Sequence, residues 1–94
     1  MMLDYAQKQA NYEDIAERLR VIAHPVRLEL LSILLQQPQN VTYLYGKLGL
    51  PQSTISQHLA KLKAAGVLRG DRKGLEIFYR VTDNSIQHLM KVLT

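Results

Sequence analysis

Most of the chain carries apolar residues at helical spacing, and one short stretch carries them at every second position. Leu3, Ala6 and Ala10 repeat weakly at helical spacing. From Asn11 the pattern strengthens: Ile15, Leu19 and Ile22 recur at i, i+4 and i+7, with Glu13, Glu17, Arg18 and Arg20 off that line. This predicts a first helix over residues 12–23, with Asp14 and Arg18 placed as a favourable i, i+4 pair. Pro25 suits the first turn of a second helix. There Leu28, Leu31, Leu34 and Leu35 form one face, and Leu30 and Ile33 widen it. A helix apolar on most sides is a central core helix. Pro38 lies just beyond its end and blocks its continuation.

The segment VTYLYGKLGLPQSTISQHLAKLKAAGV has a tighter grammar. Thr42 is the expected N-cap, with Val41 as a hydrophobic staple, of a short helix over residues 43–48. Gly49-Leu50-Pro51 makes a three-residue turn, and a second helix follows over residues 52–65. Its apolar stripe is narrow: Ile55, Leu59 and Leu62. Gly66 stands where a C-terminal glycine belongs. Gly70, Asp71 and Gly74 then supply turn chemistry, while Ile77, Tyr79 and Val81 alternate with Phe78 and Arg80. That predicts a two-stranded hairpin with a basic tip of Arg69, Arg72 and Lys73. A last helix starts near Asp83 or Asn84, with Ile86, Leu89, Met90 and Leu93 in one stripe. Two short helices across a glycine-containing turn form a helix-turn-helix, and a hairpin directly after it is a wing. The expected fold is mostly α with a small β-hairpin wing, a winged helix-turn-helix in one domain over residues 1–94.

Composition narrows the function. Ninety-four residues, 47% hydrophobic and 21% charged, fit one globular domain rather than a disordered chain. No apolar run approaches the ~18 residues of a membrane span, and the N-terminal stretch lacks a signal-peptide pattern. A cytoplasmic protein without membrane contact is expected. Cysteine is absent, which excludes a disulfide scaffold, a zinc finger, a thiol enzyme and a thiolate metal sensor. The net charge of +4 lies wholly in the second half: residues 51–94 hold seven basic and three acidic side chains, whereas residues 1–50 hold five of each. That asymmetry fits a polyanionic partner.

In a helix-turn-helix, the second helix enters the major groove. It needs an apolar side for docking and small polar residues on the other side to reach base edges. The helix from Gln52 is divided in that way, with Gln52, Ser53, Thr54, Ser56, Gln57, His58 and Lys61 outside the stripe. Thr54, Gln57, His58 and Lys61 share one face. Gln57 suits an adenine edge, and Ser and Thr suit any base. Lys61, Lys63, Arg69, Arg72 and Lys73 suit phosphates, the wing arginines also an adjacent minor groove, and His58 makes either a capping-type structural contact or a phosphate contact. Double-stranded DNA is the expected partner, which would place the protein at the nucleoid.

AHPVRLELLSIL, LPQSTISQHLAKLKAAGVL and RKGLEIFYRV together resemble the ArsR/SmtB family of winged-helix transcriptional repressors, over residues 15–93. The resemblance implies a homodimer joined through its first and last helices, bound to a palindromic operator and released by an effector, commonly a metal ion. Ile15, Leu19 and Ile22 of the first helix and Ile86, Leu89, Met90 and Leu93 of the last would form that interface. The chain departs from the family at its metal boxes. VTYLYGKL replaces a cysteine-bearing segment, and at the last helix only Asp83 and His88 are on offer, with Ser85 and Lys91 where further ligands would stand. Neither a metal site nor a cofactor is expected, and the effector, if any, is a small molecule of unknown class.

Three alternatives compete with a DNA-binding repressor. A winged-helix protein-interaction module would be expected to lose the basic wing and polar face that are present here. A metal-responsive repressor would depend on Asp83 and His88. An enzyme would need a phosphate-binding loop, a His-Glu-x-x-His motif or a nucleophile elbow, and none occurs.

Overall fold

The computed structural model describes residues 10–94. The helical spacing of Leu3 and Ala6 lies outside the described residues. The elements are α1 (Tyr12–Ile22), α2 (Pro25–Gln36), β1 (Gln39–Asn40), α3 (Val41–Leu48), α4 (Gln52–Ala64), β2 (Leu68–Lys73), β3 (Glu76–Val81) and α5 (Asn84–Leu93).

Local chemistry sets the helix starts. Asn11 caps α1 by accepting from the Asp14 N–H at 3.1 Å. His24 caps α2 through Nδ1, which accepts from the Val26 N–H at 3.1 Å, and Pro25 follows in the first turn. The cap of α3 is Asn40, not Thr42: its Oδ1 accepts from the Tyr43 N–H at 2.8 Å. Val41 and Thr42 thereby become helical. The reason is tertiary, because Asn40 is already held extended as the last residue of β1.

β1 has no counterpart in the sequence reading. It pairs antiparallel with β3, Gln39 opposite Tyr79 and Asn40 opposite Phe78, so the wing is a three-stranded sheet in the order β1-β3-β2. Gly70 and Asp71 are not turn residues. They lie inside β2, opposite Tyr79 and Phe78. The turn is Gly74-Leu75, joining Lys73 to Glu76, and Gly74 supplies the positive φ of 67° that such a two-residue connection needs at its first position. Gly70 serves close packing: a Cβ there would stand 2.8 Å from Ile77 Cγ2 and 3.3 Å from Tyr79 Cε1.

The core draws on every described helix. Leu30, Leu31 and Leu34 of α2 are buried at its centre, with Ile22 of α1, Leu44 of α3, Ile55, Leu59 and Leu62 of α4, and Ile86 and Met90 of α5 around them. Val67, Leu68 and Val81 close the core at the base of the wing. Arg18 bonds Asp83 at 2.7 Å rather than Asp14, linking α1 to the start of α5. Among the described residues no helix is long and apolar enough to cross a membrane. Leu30→Ala is expected to cost about 2–5 kcal/mol, from lost apolar burial plus the cavity left behind. Urea denaturation checks this, and a loss under about 1 kcal/mol would show that α2 is not central.

Candidate nucleic-acid interface

The helix-turn-helix is built by its glycine. Gly49 adopts φ 68°, and the Gly49 and Leu50 N–H groups both donate to the Tyr45 carbonyl, at 2.9 and 3.3 Å. This ends α3 and redirects the chain within three residues. Pro51 then opens α4 without a side-chain cap. The first N–H groups of α4 thus have no side-chain acceptor, a state suited to solvent or an anion. At the other end, Gly66 (φ 77°) closes a Schellman motif: its N–H donates to Lys63 O and that of Val67 to Leu62 O, both at 3.0 Å. The motif feeds the chain directly into β2.

Ile55, Leu59 and Leu62 dock α4 onto the core. Gln52, Ser53, Ser56, Gln57, Lys61 and Lys63 are exposed, and Thr54 is half-buried. Of the two roles open to His58, the geometry takes the structural one. The side chain turns inward, half-buried, and its Nδ1 accepts a 3.1 Å hydrogen bond from Arg27 Nε. Its ring lies 4.6 Å from that of His24. Burial first, then the positive fields of His24, Arg27 and Lys61, hold its pKa below the ordinary 6.5. Sequence spacing put His58 on the polar face, but its partner lies 31 residues away and is invisible to spacing.

The wing presents its cations unequally. Asp71 bonds Arg80 Nε at 2.7 Å and Arg69 Nε at 3.4 Å. The Arg80 hydrogen bond leads the effects that keep the Asp71 carboxyl below its usual range. Arg80 was not singled out from sequence, although the cross-strand pairing of Arg69 with Arg80 would have called for an anion between them. Arg72 donates to the Gly74 carbonyl at 3.3 Å, and Lys73 Nζ sits 5.4 Å from the centre of the Phe78 ring. Both remain exposed. Asn40 Nδ2 donates to Glu76 Oε1 at 2.8 Å and so fastens the wing to the helix-turn-helix.

The residues assigned to a dimer interface divide into two sets. Ile22, Ile86 and Met90 are buried in the protomer's own core. Ile15 and Leu89 are half-buried beside a groove of about 190 Å³ that Arg18, Leu19, Ser85 and Ile86 complete. Leu19 is 45% exposed and Leu93 63%, joined on α5 by Val92 at 75%. Val92 lies i+3 from Leu89 but outside the Ile86-Leu89-Met90-Leu93 stripe.

The two residues on offer to a metal do not fit one. Asp83 caps α5, accepting from the Ile86 N–H at 3.1 Å, and its other oxygen holds Arg18 at 2.7 Å. Burial pushes its pKa up, but the bonds from Arg18 and the Ile86 N–H outweigh that and leave it lowered. His88 is exposed, and among the described residues no three His, Cys, Asp or Glu gather. Asp83 is a structural carboxylate.

A helix with small polar side chains outward, set across a glycine turn and followed by a basic sheet, defines a winged helix-turn-helix DNA-binding protein. The model of the bacterial regulatory protein, arsR family, matches residues 24–69. The chain is 38% identical over 94 residues to the transcriptional repressor PagR of Bacillus anthracis, covering 99% of this chain and 94% of PagR. The crystal structure of PagR superposes with a TM-score of 0.82 over 88% of this chain and 95% of PagR, at 42% identity. The HTH-type transcriptional repressor SmtB of Mycobacterium tuberculosis is 42% identical over 74 residues, 79% of this chain but 55% of SmtB, so the chain spans about half of that relative. The repressor BigR of Xylella fastidiosa superposes with a TM-score of 0.81 at 30% identity, over 99% of this chain and 92% of BigR. The chain belongs to the ArsR family, and it is a DNA-binding transcriptional repressor.

Asn40→Ala removes a helix cap and the wing tether together. We expect a loss of about 1–2 kcal/mol in thermal unfolding, with faster amide exchange in β3 than in α2. Equal protection of β3 in the variant would show that Asn40 does not fasten the wing.

Proposed function

We propose that the repressor works as a homodimer on an inverted-repeat operator, reading bases with α4 and gripping backbone with the wing. The observation that carries this is the division of α4 into a buried Ile55-Leu59-Leu62 stripe and an exposed Gln52-Ser53-Ser56-Gln57 surface, beside the exposed cations Arg72 and Lys73. Thr54, Gln57 and Ser56 serve base edges, and Lys61, Lys63 and Arg69 serve phosphates. A protein-interaction module would have no use for this juxtaposition. The operator places the protein at the nucleoid, and release by a small effector belongs to the same proposal.

Gln57→Ala should weaken binding by about 1–3 kcal/mol and relax base preference at one position per half-site, whereas Arg72→Ala should weaken binding to all sequences and lower the salt slope by about one unit. A labelled duplex selected by the wild-type protein from a random library, titrated at two salt concentrations, separates the two effects. If both variants bind like wild type, the groove assignment fails.

The dimer uses the exposed apolar side chains of the first and last helices, Leu19, Val92 and Leu93, together with the half-buried Ile15 and Leu89. Leu19→Glu with Val92→Glu should shift the protein to monomers in sedimentation equilibrium and weaken operator binding more than Gln57→Ala or Arg72→Ala, because two half-sites are then bound separately. A dimer of wild-type strength in that variant would place the interface elsewhere.

A further inference from the structure

Arg27 is half-buried and joins three helices. It lies in the first turn of α2. Its Nη1 donates to the Val21 carbonyl near the end of α1 at 2.8 Å, and its Nε donates to His58 Nδ1 in the middle of α4 at 3.1 Å. His24 packs its ring against His58 from the cap of α2, with its own Nδ1 taken up by the Val26 N–H.

The bond from Arg27 to His58 is chemically one-sided. A guanidinium only donates, so His58 Nδ1 must carry no proton. A proton there would remove the acceptor and set two like charges face to face. The surroundings offer no relief. His24 and Arg27 face His58 from α2, and Lys61 stands one turn further along α4. Across the adjoining cleft of about 390 Å³, α1 contributes Arg20 and Glu17, and that carboxylate already pairs with Arg20 at 3.5 Å.

We infer that Arg27 is a positioning residue for DNA binding: through Val21 and His58 it holds α4 in place on α1 and α2, and acid releases that hold. This rests on the reading of α4 as the helix that enters the groove.

The sign follows from linkage. The fold holds His58 below its ordinary 6.5, so the folded chain binds fewer protons than the unfolded one in that window. The contribution is full above about 6.5 and is lost as pH falls below it. A histidine touching a DNA phosphate would behave in the opposite way, because its proton would add a cation at the backbone and strengthen binding.

The test measures anisotropy of the selected duplex with the full chain at fixed ionic strength, near pH 8 and near pH 5.5. Wild type, His58→Asn, Arg27→Gln and Gln57→Ala are compared through the ratio of their affinities at the two pH values. Asn offers Oδ1 close to the place of Nδ1, an acceptor that does not titrate. Wild-type affinity should fall on the order of tenfold in acid, a loss matching one charge-assisted hydrogen bond, and that of His58→Asn by no more than about twofold. Arg27→Gln should show a smaller ratio than wild type, with its His58 ring resonance titrating nearer to the ordinary histidine value. A purely packing role for Arg27 would lower the melting temperature without moving either readout. Gln57→Ala should be weaker at both pH values with the wild-type ratio.

Wild-type affinity that is flat or rises in acid overturns the inference. So does an equal acid loss in His58→Asn, which retains His24 and His88. A Gln57→Ala variant indistinguishable from wild type on every duplex would instead overturn the reading of α4. Should Arg27→Gln fail to fold, wild type and His58→Asn decide the matter alone.

Discussion

Leu30, Leu31 and Leu34 share one broad face of α2, and all three must be kept from water. In a domain this small, that demand commits one surface from each remaining helix. α1 gives Ile22, α3 gives Leu44, α5 gives Ile86 and Met90, and α4 gives its three-residue stripe. α4 docks through that one narrow stripe. The rest of α4 is free to be small and polar, as a helix that reaches base edges must be.

Burial alone does not fix the angles between these helices. Three helix caps do part of that. Asn40 caps α3 and bonds Glu76 in the wing. Asp83 caps α5 and holds Arg18 of α1. His24 caps α2 and packs on His58 of α4. Each cap thus ties its own helix to another element. A side chain that would contribute about 1 kcal/mol as a local cap also carries a tertiary contact, so its loss affects orientation as well as helix length.

Periodicity made α1, α2, α4 and α5 legible, because each has a run long enough to show its apolar face, whereas the short α3 was legible from its cap chemistry and the glycine that ends it. The glycine turn was legible for a related reason: Gly49 and Gly66 adopt backbone conformations that other residues resist. β1 was not, since Gln39-Asn40 is two residues long and shows no alternation. Without β1, Thr42 looked like the cap that Asn40 is. Gly70 read as a turn because glycine in a strand carries no local mark of the ring of Tyr79 opposite it. The polar surface of α4 followed from its residue types, but His58 and Arg18 have partners 31 and 65 residues away. A helical wheel shows which way a side chain leaves its helix and nothing of what waits there.

The excess charge is subject to the same tertiary sorting. Asp71 engages Arg69 and Arg80, so the cations left most available on the wing are Arg72 and Lys73. On the proposed operator, a second protomer would add its own phosphate and base contacts and so tighten binding. Two linked half-sites, however, demand that both α4 helices be presented at a fixed separation and angle. A small rotation of α4 on its own core is felt twice, once in each groove. On the proposed operator, the contact from Arg27 to His58, which ties α4 to α2, would bear on binding alongside the side chains that face the bases.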